Sequence, residues 1–272
     1  MTGSSNTGSS NTTSSSSVAL SGSLSANPVI ADGDGPPVIF LHGPFGQEWP
    51  EFLGDLAGAH RVYAPANPGA DEPTDLEQLD DMHDLVVYYD ELFEKLEIAE
   101  PFDLVGHSFG GMVAAEYAAT YPGKVRRLVL IDSMGLWTDD VPVEDFVSVA
   151  PEVLVRRLWS DLSKPEVQAR IAQPEDLALA QAEVIKQFMT VASVAHFTAP
   201  IPERGLARRL RRVRARTLLL WGAQDGLVPA RYAEEFRRHL PGAEVEIVEG
   251  AGHYPYVEQR EAVSRRVLDF LA

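Results

Sequence analysis

The sequence predicts an α/β protein with a mostly parallel sheet flanked by helices. Short continuous apolar runs, which suit strands buried on both faces, alternate with amphipathic stretches that suit covering helices. Glycine-rich loops follow several of these runs, at the strand ends where open α/β sheets bind ligands. With 272 residues and a hydrophobic fraction of 45%, the chain can bury a substantial core.

The N-terminal part of the chain predicts a leader and a weak hairpin. Residues 1–17 are almost entirely Ser, Thr, Gly and Asn, and such a segment buries too little apolar surface to offset the entropy of ordering it. We therefore expect a disordered leader, either native or added by cloning. Residues 18–20 and 24–30 predict two short strands, and Pro28, which has no N–H, should confine the second strand to a sheet edge.

The regular alternation of strands and helices begins at residue 38. Apolar runs predict strands, and apolar residues at helical spacing predict helices. The helix predicted at residues 80–97 has one acidic face, which is typical of a solvated helix surface. The predicted strands span residues 38–41, 61–64, 102–105, 125–132, 217–221 and 245–248. The predicted helices span residues 51–58, 80–97, 111–121, 230–240 and 258–271.

This alternation is interrupted after the strand predicted at residues 125–132. Residues 134–205 have no clear strand pattern, and they read as several short helices broken by prolines. We therefore predict a helical cap over residues 134–205, inserted into a core formed by residues 18–133 and 206–272.

The charge balance limits the partners of this protein. The formal net charge is −17, so the chain should repel nucleic acid and anionic membranes. Six arginines between residues 208 and 216 go against this trend, and we interpret them as a surface helix paired with acidic neighbours rather than a nucleic-acid site. The sequence has no apolar run of membrane-spanning length and no secretory signal, so we expect a cytoplasmic protein.

The sequence also lacks the patterns that bind metals or cofactors. Cysteine is absent, and no two histidines and a carboxylate lie at the spacing of metal ligands. No phosphate-loop or dinucleotide-binding glycine signature occurs. We therefore expect a protein that acts on a small molecule without a metal or another cofactor, while its oligomeric state stays open.

The pentapeptide Gly106-His107-Ser108-Phe109-Gly110 stands between a predicted strand and a predicted helix. The order strand, Gly-x-Ser-x-Gly, helix is typical of a nucleophile elbow, a sharp turn that presents a serine hydroxyl at a helix N-terminus. The two glycines remove Cβ atoms that would collide at such a turn. The pentapeptide alone fits an ordinary glycine-containing turn with a buried serine equally well.

The chain supplies a base and an orienting acid for this serine, in the order Ser, Asp, His. Asp225 and His253 each lie in a glycine-containing loop that follows a predicted strand. Because the carboxyl ends of parallel strands meet at one edge of the sheet, we expect Ser108, Asp225 and His253 to converge within hydrogen-bonding reach. Asp132 also ends a strand and is the alternative acid.

Together these motifs resemble the α/β-hydrolase superfamily, in its branch with a helical cap after the sixth strand. The resemblance runs from residue 18 to the C-terminus and is poorest in the cap, where members of this family choose their substrates. The residues that carry it are His42-Gly43, Gly106-x-Ser108-x-Gly110, Asp225 in its Trp-Gly-x-x-Asp setting, and Gly252-His253.

The resemblance implies a serine hydrolase that works through an acyl-enzyme. Ser108 would attack a carbonyl carbon, and His253 would take the proton and later deliver one to the leaving group. Asp225 would hold the imidazole and stabilise its cation. Water activated by His253 would then hydrolyse the acyl-enzyme.

The resemblance also implies an oxyanion hole made of two backbone N–H groups. Phe109, the residue after the nucleophile, would supply one of them. In many relatives the residue after the His-Gly pair supplies the other, but here that residue is Pro44, which has no N–H. We therefore expect Phe45 to be the second donor.

This family binds its substrates between the sheet edge and the cap, so apolar cap residues are candidates for the pocket lining. Such residues favour an apolar acyl or aryl group over a sugar or a phosphate. The candidates are Trp137, Phe146, Trp159, Phe188 and Phe197.

We expect hydrolysis of a carboxylic ester, a thioester or a lactone of modest size. The same residues also serve carbon–carbon bond hydrolases and cofactor-free perhydrolases, and a non-catalytic small-molecule receptor is a third alternative. A complete triad disfavours the receptor, since a binder needs no Asp225. The serine at position 108 disfavours epoxide hydrolases and dehalogenases, which carry aspartate there.

Overall fold

The computed structural model describes residues 13–272, and this part of the chain forms eight strands and ten α-helices. Two short 3-10 helices lie at Pro73–Gln78 and Leu210–Arg212. The strands are β1 (Ser14–Val18), β2 (Asn27–Asp32), β3 (Pro37–Leu41), β4 (Arg61–Pro65), β5 (Phe102–His107), β6 (Val125–Ile131), β7 (Arg216–Gly222) and β8 (Glu244–Val248). The helices are α1 (Glu51–Ala57), α2 (Met82–Lys95), α3 (Phe109–Thr120), α4 (Pro151–Leu158), α5 (Pro165–Ile171), α6 (Leu177–Thr198), α7 (Leu206–Arg209), α8 (Arg231–His239), α9 (Pro255–Glu258) and α10 (Arg260–Leu271).

All eight strands belong to one sheet, in the order β1-β2-β4-β3-β5-β6-β7-β8. Every neighbouring pair from β4 to β8 is parallel, while β1 and β2 are attached antiparallel at one side. The predicted fold class is thereby confirmed. Because β5 to β8 are parallel, the loops that follow them open at the same edge of the sheet.

The N-terminal strands differ from the prediction. Residues 14–17, which the sequence assigns to a disordered leader, form the exposed polar strand β1, and Ser17 pairs with Pro28 of β2. The prediction that Pro28 places its strand at an edge is wrong, because β2 lies between β1 and β4. Pro28 fits near the start of β2, before the register with β4 begins at Val29. Residues 1–12 of the predicted leader lie outside the described residues.

Residues 134–205, which we call the insertion, separate β6 from β7 and contain three helices, α4 to α6. Both α4 and α5 begin at a proline, at the first helical position where a missing N–H costs nothing. The long helix α6 is rich in apolar residues, yet residues 181–188 within it are exposed. The role of the insertion as a cap remains a prediction.

The arginine-rich tract covers α7, the second 3-10 helix and the first residue of β7. Arg209 forms a two-pronged ion pair with the buried Glu116 of α3. Arg216 pairs with Glu244 at the start of β8. These two acidic partners tie the chain that follows the insertion to the core.

Helix α3 packs directly against the sheet, and two glycines make that close approach possible. A Cβ atom on Gly110 would lie 2.0 Å from the carbonyl oxygen of Leu41 in β3. A Cβ atom on Gly106 would lie 2.4 Å from the carbonyl oxygen of Gly110. Both distances are far inside van der Waals contact with a backbone atom that has no room to move, so only glycine fits at either position.

This packing makes a stability prediction for Gly110→Ala. We expect the free energy of unfolding, measured by urea denaturation, to fall by about 1–3 kcal/mol, the usual cost of forcing extra atoms into a packed interior. Gly54→Ala in α1 is the matched control, because nothing lies within 4 Å of its added Cβ. That variant should be as stable as the parent or slightly more stable, since alanine favours helix. Equal stability of the two variants would contradict the packing argument.

Candidate active site

Ser108 lies at the sharp turn between β5 and α3, as the elbow pattern predicts. Its backbone angles are φ 55° and ψ −117°, and a positive φ at a residue other than glycine costs about 1–3 kcal/mol. The turn is held by backbone hydrogen bonds: Ser108 donates to the carbonyl of Ile131 at 2.9 Å, and its own carbonyl accepts from Met134 at 3.0 Å. The strained turn is thus fixed by the end of the neighbouring strand β6.

His253 and Asp225 form a buried pair in the loops after β8 and β7. Nδ1 of His253 donates a hydrogen bond to Oδ2 of Asp225 at 2.8 Å, and both side chains are fully buried. The other carboxylate oxygen accepts from the backbone N–H groups of Leu227 at 2.8 Å and Val228 at 3.0 Å. These bonds fix the carboxylate, which in turn fixes the imidazole ring and leaves Nε2 as an acceptor.

The serine and the histidine are both buried, but no hydrogen bond joins them. Oγ of Ser108 and Nε2 of His253 each lack a hydrogen-bond partner within residues 13–272. The expected hydrogen-bonding contact is therefore made between Asp225 and His253 and not between His253 and Ser108. Long serine–histidine contacts are common in enzymes without a bound substrate, and the serine hydroxyl turns about a single bond.

The elbow and the histidine loop are in direct contact through His107, the residue before the serine. Nε2 of His107 donates a hydrogen bond to the carbonyl oxygen of His253 at 2.7 Å. The two imidazole rings lie with their centroids 4.8 Å apart. Burial holds the pKa of His107 well below its usual range, so this ring is neutral.

The glycine-rich loop after β3 runs alongside the elbow. A Cβ atom on Gly43 would lie 3.3 Å from Cβ of Ser108, so the loop backbone touches the serine. His42 braces this loop: its Nδ1 donates to the carbonyl oxygen of Gly43 at 2.7 Å, and its Nε2 accepts from the N–H of Asn67 at 3.1 Å. Burial lowers the pKa of His42 to about 4, which keeps the ring neutral for both bonds.

Phe109 and Phe45, the two residues expected to donate to an oxyanion, lie in the two segments that meet here: the elbow and the glycine-rich loop after β3. Phe109 is the first residue of α3, so its N–H has no partner inside the helix. Phe45 follows Pro44 in the loop that touches the serine, and its side chain is half-buried. The fold thus brings both backbone segments to the elbow, while their role as donors remains a prediction.

Asp132, the alternative acid, lies beside the pair at the end of β6. It is fully buried, has a φ of 45°, and its Oδ1 accepts a hydrogen bond from the N–H of Gly222 at 2.9 Å. Its other carboxylate oxygen has no partner among the described residues. Burial, and then the negative charge of Asp225, raises the pKa of Asp132 well above its usual range, which favours the protonated form of this carboxyl.

Asp132, Asp225 and His253 place one potential ligand atom each within 4.8 Å of one another. This spacing would suit a cation. However, Nδ1 of His253 already donates a hydrogen bond to Asp225. In this tautomer Nδ1 carries a proton and is not a ligand atom.

Three of the five aromatic residues proposed for the pocket lie next to site residues. Phe146 packs edge-on against Phe45 with ring centroids 6.3 Å apart, and Phe197 stacks on Phe109 at 6.2 Å. Trp159 stacks at 4.8 Å on Tyr254, the residue after His253.

The other two proposed lining residues have different surroundings. Phe188 lies on the exposed part of α6 and is itself 68% exposed, and its role as a lining residue stays a prediction. Trp137 is partly buried and donates its indole N–H to Asp139 at 2.9 Å. Apolar residue type marks both as lining, but it cannot tell a site-facing side chain from a surface one.

One buried residue near the site escapes the sequence analysis. Glu258 ends α9, five residues after His253, and its Oε2 accepts a hydrogen bond from the N–H of Gly252 at 2.6 Å. A glutamate in a predicted helix is expected to lie at the surface, so its residue type does not indicate that it is buried. Its short distance in sequence from His253 is the one available signal.

The chain is similar to known enzymes in sequence. The alpha/beta hydrolase fold family matches residues 36–259. The chain is 26% identical over 264 residues to 2-hydroxy-6-oxo-6-phenylhexa-2,4-dienoate hydrolase of Burkholderia cepacia, covering 88% of this chain and 89% of the relative. It is 25% identical over 268 residues to cis-3-alkyl-4-alkyloxetan-2-one decarboxylase of Shewanella oneidensis, covering 89% of this chain and 84% of the relative.

The fold is shared with solved structures as well. Naproxen esterase from Bacillus subtilis superimposes with a TM-score of 0.73 at 21% identity, over 97% of this chain and 93% of that chain. Within residues 13–272, no helix has both the length and the apolar character needed to cross a membrane. Because the family matches most of the chain and the sheet has the corresponding architecture, this protein is an enzyme that belongs to the α/β-hydrolase family.

Proposed function

We propose that the protein is a serine hydrolase that cleaves a carboxylic ester, a thioester or a lactone of a small apolar substrate through an acyl-enzyme. The observation that carries the proposal is the buried hydrogen bond from His253 to Asp225, which leaves Nε2 of the imidazole unpaired beside a strained serine elbow. An imidazole in this tautomer is a proton acceptor, and a serine needs such a base to become a nucleophile.

In the proposed reaction, Oγ of Ser108 attacks the carbonyl carbon of the substrate while Nε2 of His253 takes the hydroxyl proton. The tetrahedral intermediate collapses when His253 passes that proton to the leaving group, and Ser108 is left acylated. Water then repeats the two steps with His253 as the base and releases the acid. Asp225 stabilises the imidazolium that forms in each half of the reaction.

The backbone N–H groups of Phe109 and Phe45 are the proposed donors to the oxyanion. Each such donor typically lowers the activation free energy by about 2.7–4 kcal/mol, so an enzyme with only one donor would be a weak catalyst. Pro44 cannot donate, and the contact between the loop backbone and Ser108 supports Phe45 as the nearest following N–H. The proposed second donor is therefore one residue later than in the many relatives that use the residue directly after the His-Gly pair.

Asp225 is the proposed acid, although Asp132 lies beside it. Asp225 holds the imidazole directly, and two backbone N–H groups stabilise its charge. Burial and the charge of Asp225 raise the pKa of Asp132, which favours its neutral form, and one of its oxygens accepts from the backbone of β7. A neutral carboxyl stabilises an imidazolium less than a carboxylate does, which favours Asp225 in the catalytic role.

The surroundings of the triad favour an apolar substrate of modest size. Ser108 and His253 are fully buried, so a substrate reaches them only when part of the insertion moves. The aromatic rings of Phe146 and Phe197 pack on the side chains of the two proposed oxyanion residues. Aromatic walls with few polar groups suit an acyl or aryl group better than a sugar.

A second candidate is the hydrolysis of a carbon–carbon bond by the same triad. The similarity to the Burkholderia cepacia hydrolase, named for a dienoate substrate, favours it. A dienoate carries a carboxylate, which calls for a cationic side chain at the site. Arg170 lies over the ring of Tyr254 and Lys164 lies beside Glu258, but each is already paired with a glutamate. The Shewanella oneidensis relative is named a decarboxylase, and the oxetan-2-one in its name is a cyclic ester, so its substrate class, though not its reaction, fits the first candidate.

The nucleophile assignment predicts that Ser108→Ala loses both activity and labelling. We expect an active-site phosphonate to add one covalent group to the parent protein at Ser108 and none to the variant, as read by intact-protein mass spectrometry. Turnover should be measured in parallel on nitrophenyl esters of rising chain length, a thioester, a lactone and a vinylogous diketone. Turnover of the diketone alone would replace ester cleavage by carbon–carbon cleavage, and labelling that persists in the variant would exclude Ser108 as the nucleophile.

The acid assignment predicts unequal effects of two matched substitutions. Asp225→Asn should lower kcat by about 10⁴-fold, because an amide in place of the orienting carboxylate imposes the wrong imidazole tautomer, as known for the serine proteases. Asp132→Asn should keep kcat within about tenfold, since asparagine preserves the bond to Gly222 and tolerates a positive φ. The reverse order of effects would move the acid to Asp132.

The raised pKa of Asp132 predicts that Asp132→Asn becomes more stabilising as the pH rises. The pKa of Asp132 is raised in the folded protein, whereas the unfolded chain releases this proton near the usual pKa of about 4, so between these two pKa values each rise in pH favours the unfolded parent protein. Asparagine removes the titration. The difference in unfolding free energy between variant and parent, measured by urea denaturation, should grow by up to about 1.4 kcal/mol per pH unit as the pH rises above about 4. A difference that does not change with pH would contradict a raised pKa of Asp132.

A further inference from the structure

The carboxylate of Glu258 joins the histidine loop to the insertion. Its side chain is fully buried, and no step of the proposed mechanism uses it. Oε2 accepts from the N–H of Gly252, the residue before His253, at 2.6 Å. Oε1 accepts from the hydroxyl of Ser160 at 2.6 Å and from its N–H at 3.1 Å, and Nζ of Lys164 lies 3.3 Å away. One buried group thus receives hydrogen bonds from two separate segments of the chain.

The same part of the insertion contacts both triad loops through its backbone. The N–H of His253 donates to the carbonyl oxygen of Leu158 at 2.7 Å. The N–H of Gly226, the residue after Asp225, donates to the carbonyl oxygen of Arg157 at 3.0 Å. We call residues 157–164 the clamp segment, since it is hydrogen-bonded to the loop of the base and to the loop of the acid.

The side chain of His253 has one hydrogen bond, to Asp225, so its position depends on how its backbone is held. The backbone of His253 is held at three points. Its N–H donates to Leu158 of the insertion, its carbonyl oxygen accepts from His107 of the elbow, and the N–H of the preceding Gly252 donates to Glu258. Glu258 holds the clamp segment through Ser160 at the same time. Loss of the carboxylate would therefore release the peptide before His253 and loosen the segment that anchors His253 itself.

We propose that Glu258 is a positioning residue for His253, which it sets against Ser108 by tying the histidine loop to the clamp segment. The proposal rests on the proposed serine hydrolase function. A displacement of about 1 Å at a catalytic group can cost about 10²-fold in rate, so loss of this anchor acts on kcat. Substrate affinity depends on the pocket walls and changes far less.

A matched control separates positioning from stability. Glu116 is also a buried glutamate that is ion-paired to a basic residue. It lies in α3 and its partner Arg209 lies in α7, so neither belongs to the triad loops. Glu258→Gln and Glu116→Gln each neutralise one buried ion pair. In Glu258→Gln the amide –NH₂ must face one of the donors of Gly252 or Ser160, so at least one anchor bond is lost.

The experiment measures kcat, KM and the phosphonate labelling rate on the most reactive ester, together with urea unfolding, for the parent protein and both variants. We expect Glu258→Gln to lower kcat and the labelling rate by the same factor, at least about tenfold, with KM within about threefold. Glu116→Gln should lose stability and keep kcat and the labelling rate. If Glu258→Gln loses stability like the control and keeps its kcat, Glu258 has a structural role only and the proposal is wrong.

A milder variant covers the case in which Glu258→Gln does not fold. Ser160→Ala removes the hydroxyl bond to Glu258 but keeps the charge and the bond to Gly252, and it should lower kcat about two- to fivefold with little loss of stability. An unchanged kcat in that variant would also overturn the proposal. Failure of the serine hydrolase function is a different result, because Ser108→Ala would then keep its activity and its label.

Discussion

The hydrogen bond between His253 and Asp225 is the interaction on which the whole candidate site depends. Both side chains are fully buried, and a buried carboxylate is costly unless its oxygens are hydrogen-bonded. Two backbone N–H groups satisfy one oxygen and the imidazole satisfies the other. The bond therefore fixes the orientation of the acid, the tautomer of the base and the nitrogen that remains free to accept a proton.

The sheet makes this bond possible by bringing distant parts of the chain to one edge. Strands β5 to β8 are parallel and in register, with Leu220 of β7 opposite Ile131 of β6 and Gly222 opposite Val248 of β8. The loops that follow them carry Ser108, Asp225 and His253. Strain is concentrated at this edge, where Ser108 and Asp132 both have positive φ, and backbone hydrogen bonds to the neighbouring strands hold both residues. The rigid strands thus fix the strained turns.

The insertion is held more firmly against the edge of the sheet at the clamp segment than at the exposed part of helix α6. The clamp segment is bonded to both triad loops, while residues 181–188 of α6 are exposed. Because the serine and the histidine are buried, entry of a substrate requires movement, and the weakly packed parts of the insertion are those that open at least cost. The triad can then stay in place while access changes.

The sequence by itself determined the sheet and the candidate residues, because both depend on local patterns. Each of the six predicted core strands lies within two residues of its observed bounds. Continuous apolar runs mark those that are buried on both faces, whereas the edge strand β8 alternates glutamates with apolar residues and is mostly exposed. The glycines of the elbow mark positions where a Cβ cannot fit, and the distances at Gly106 and Gly110 agree. Strand β1 was missed because it is polar and exposed and has no apolar run to mark it.

Only the tertiary structure decided how the side chains pair. It joined Asp225 to His253, raised the pKa of Asp132 beside them, exposed Phe188 and buried Glu258 next to the histidine loop. Residue type does not predict these pairings or burials, because each depends on groups that are far apart in the chain and meet only after folding. Burial and hydrogen bonding then set which carboxyl group is charged and which one only holds its neighbours.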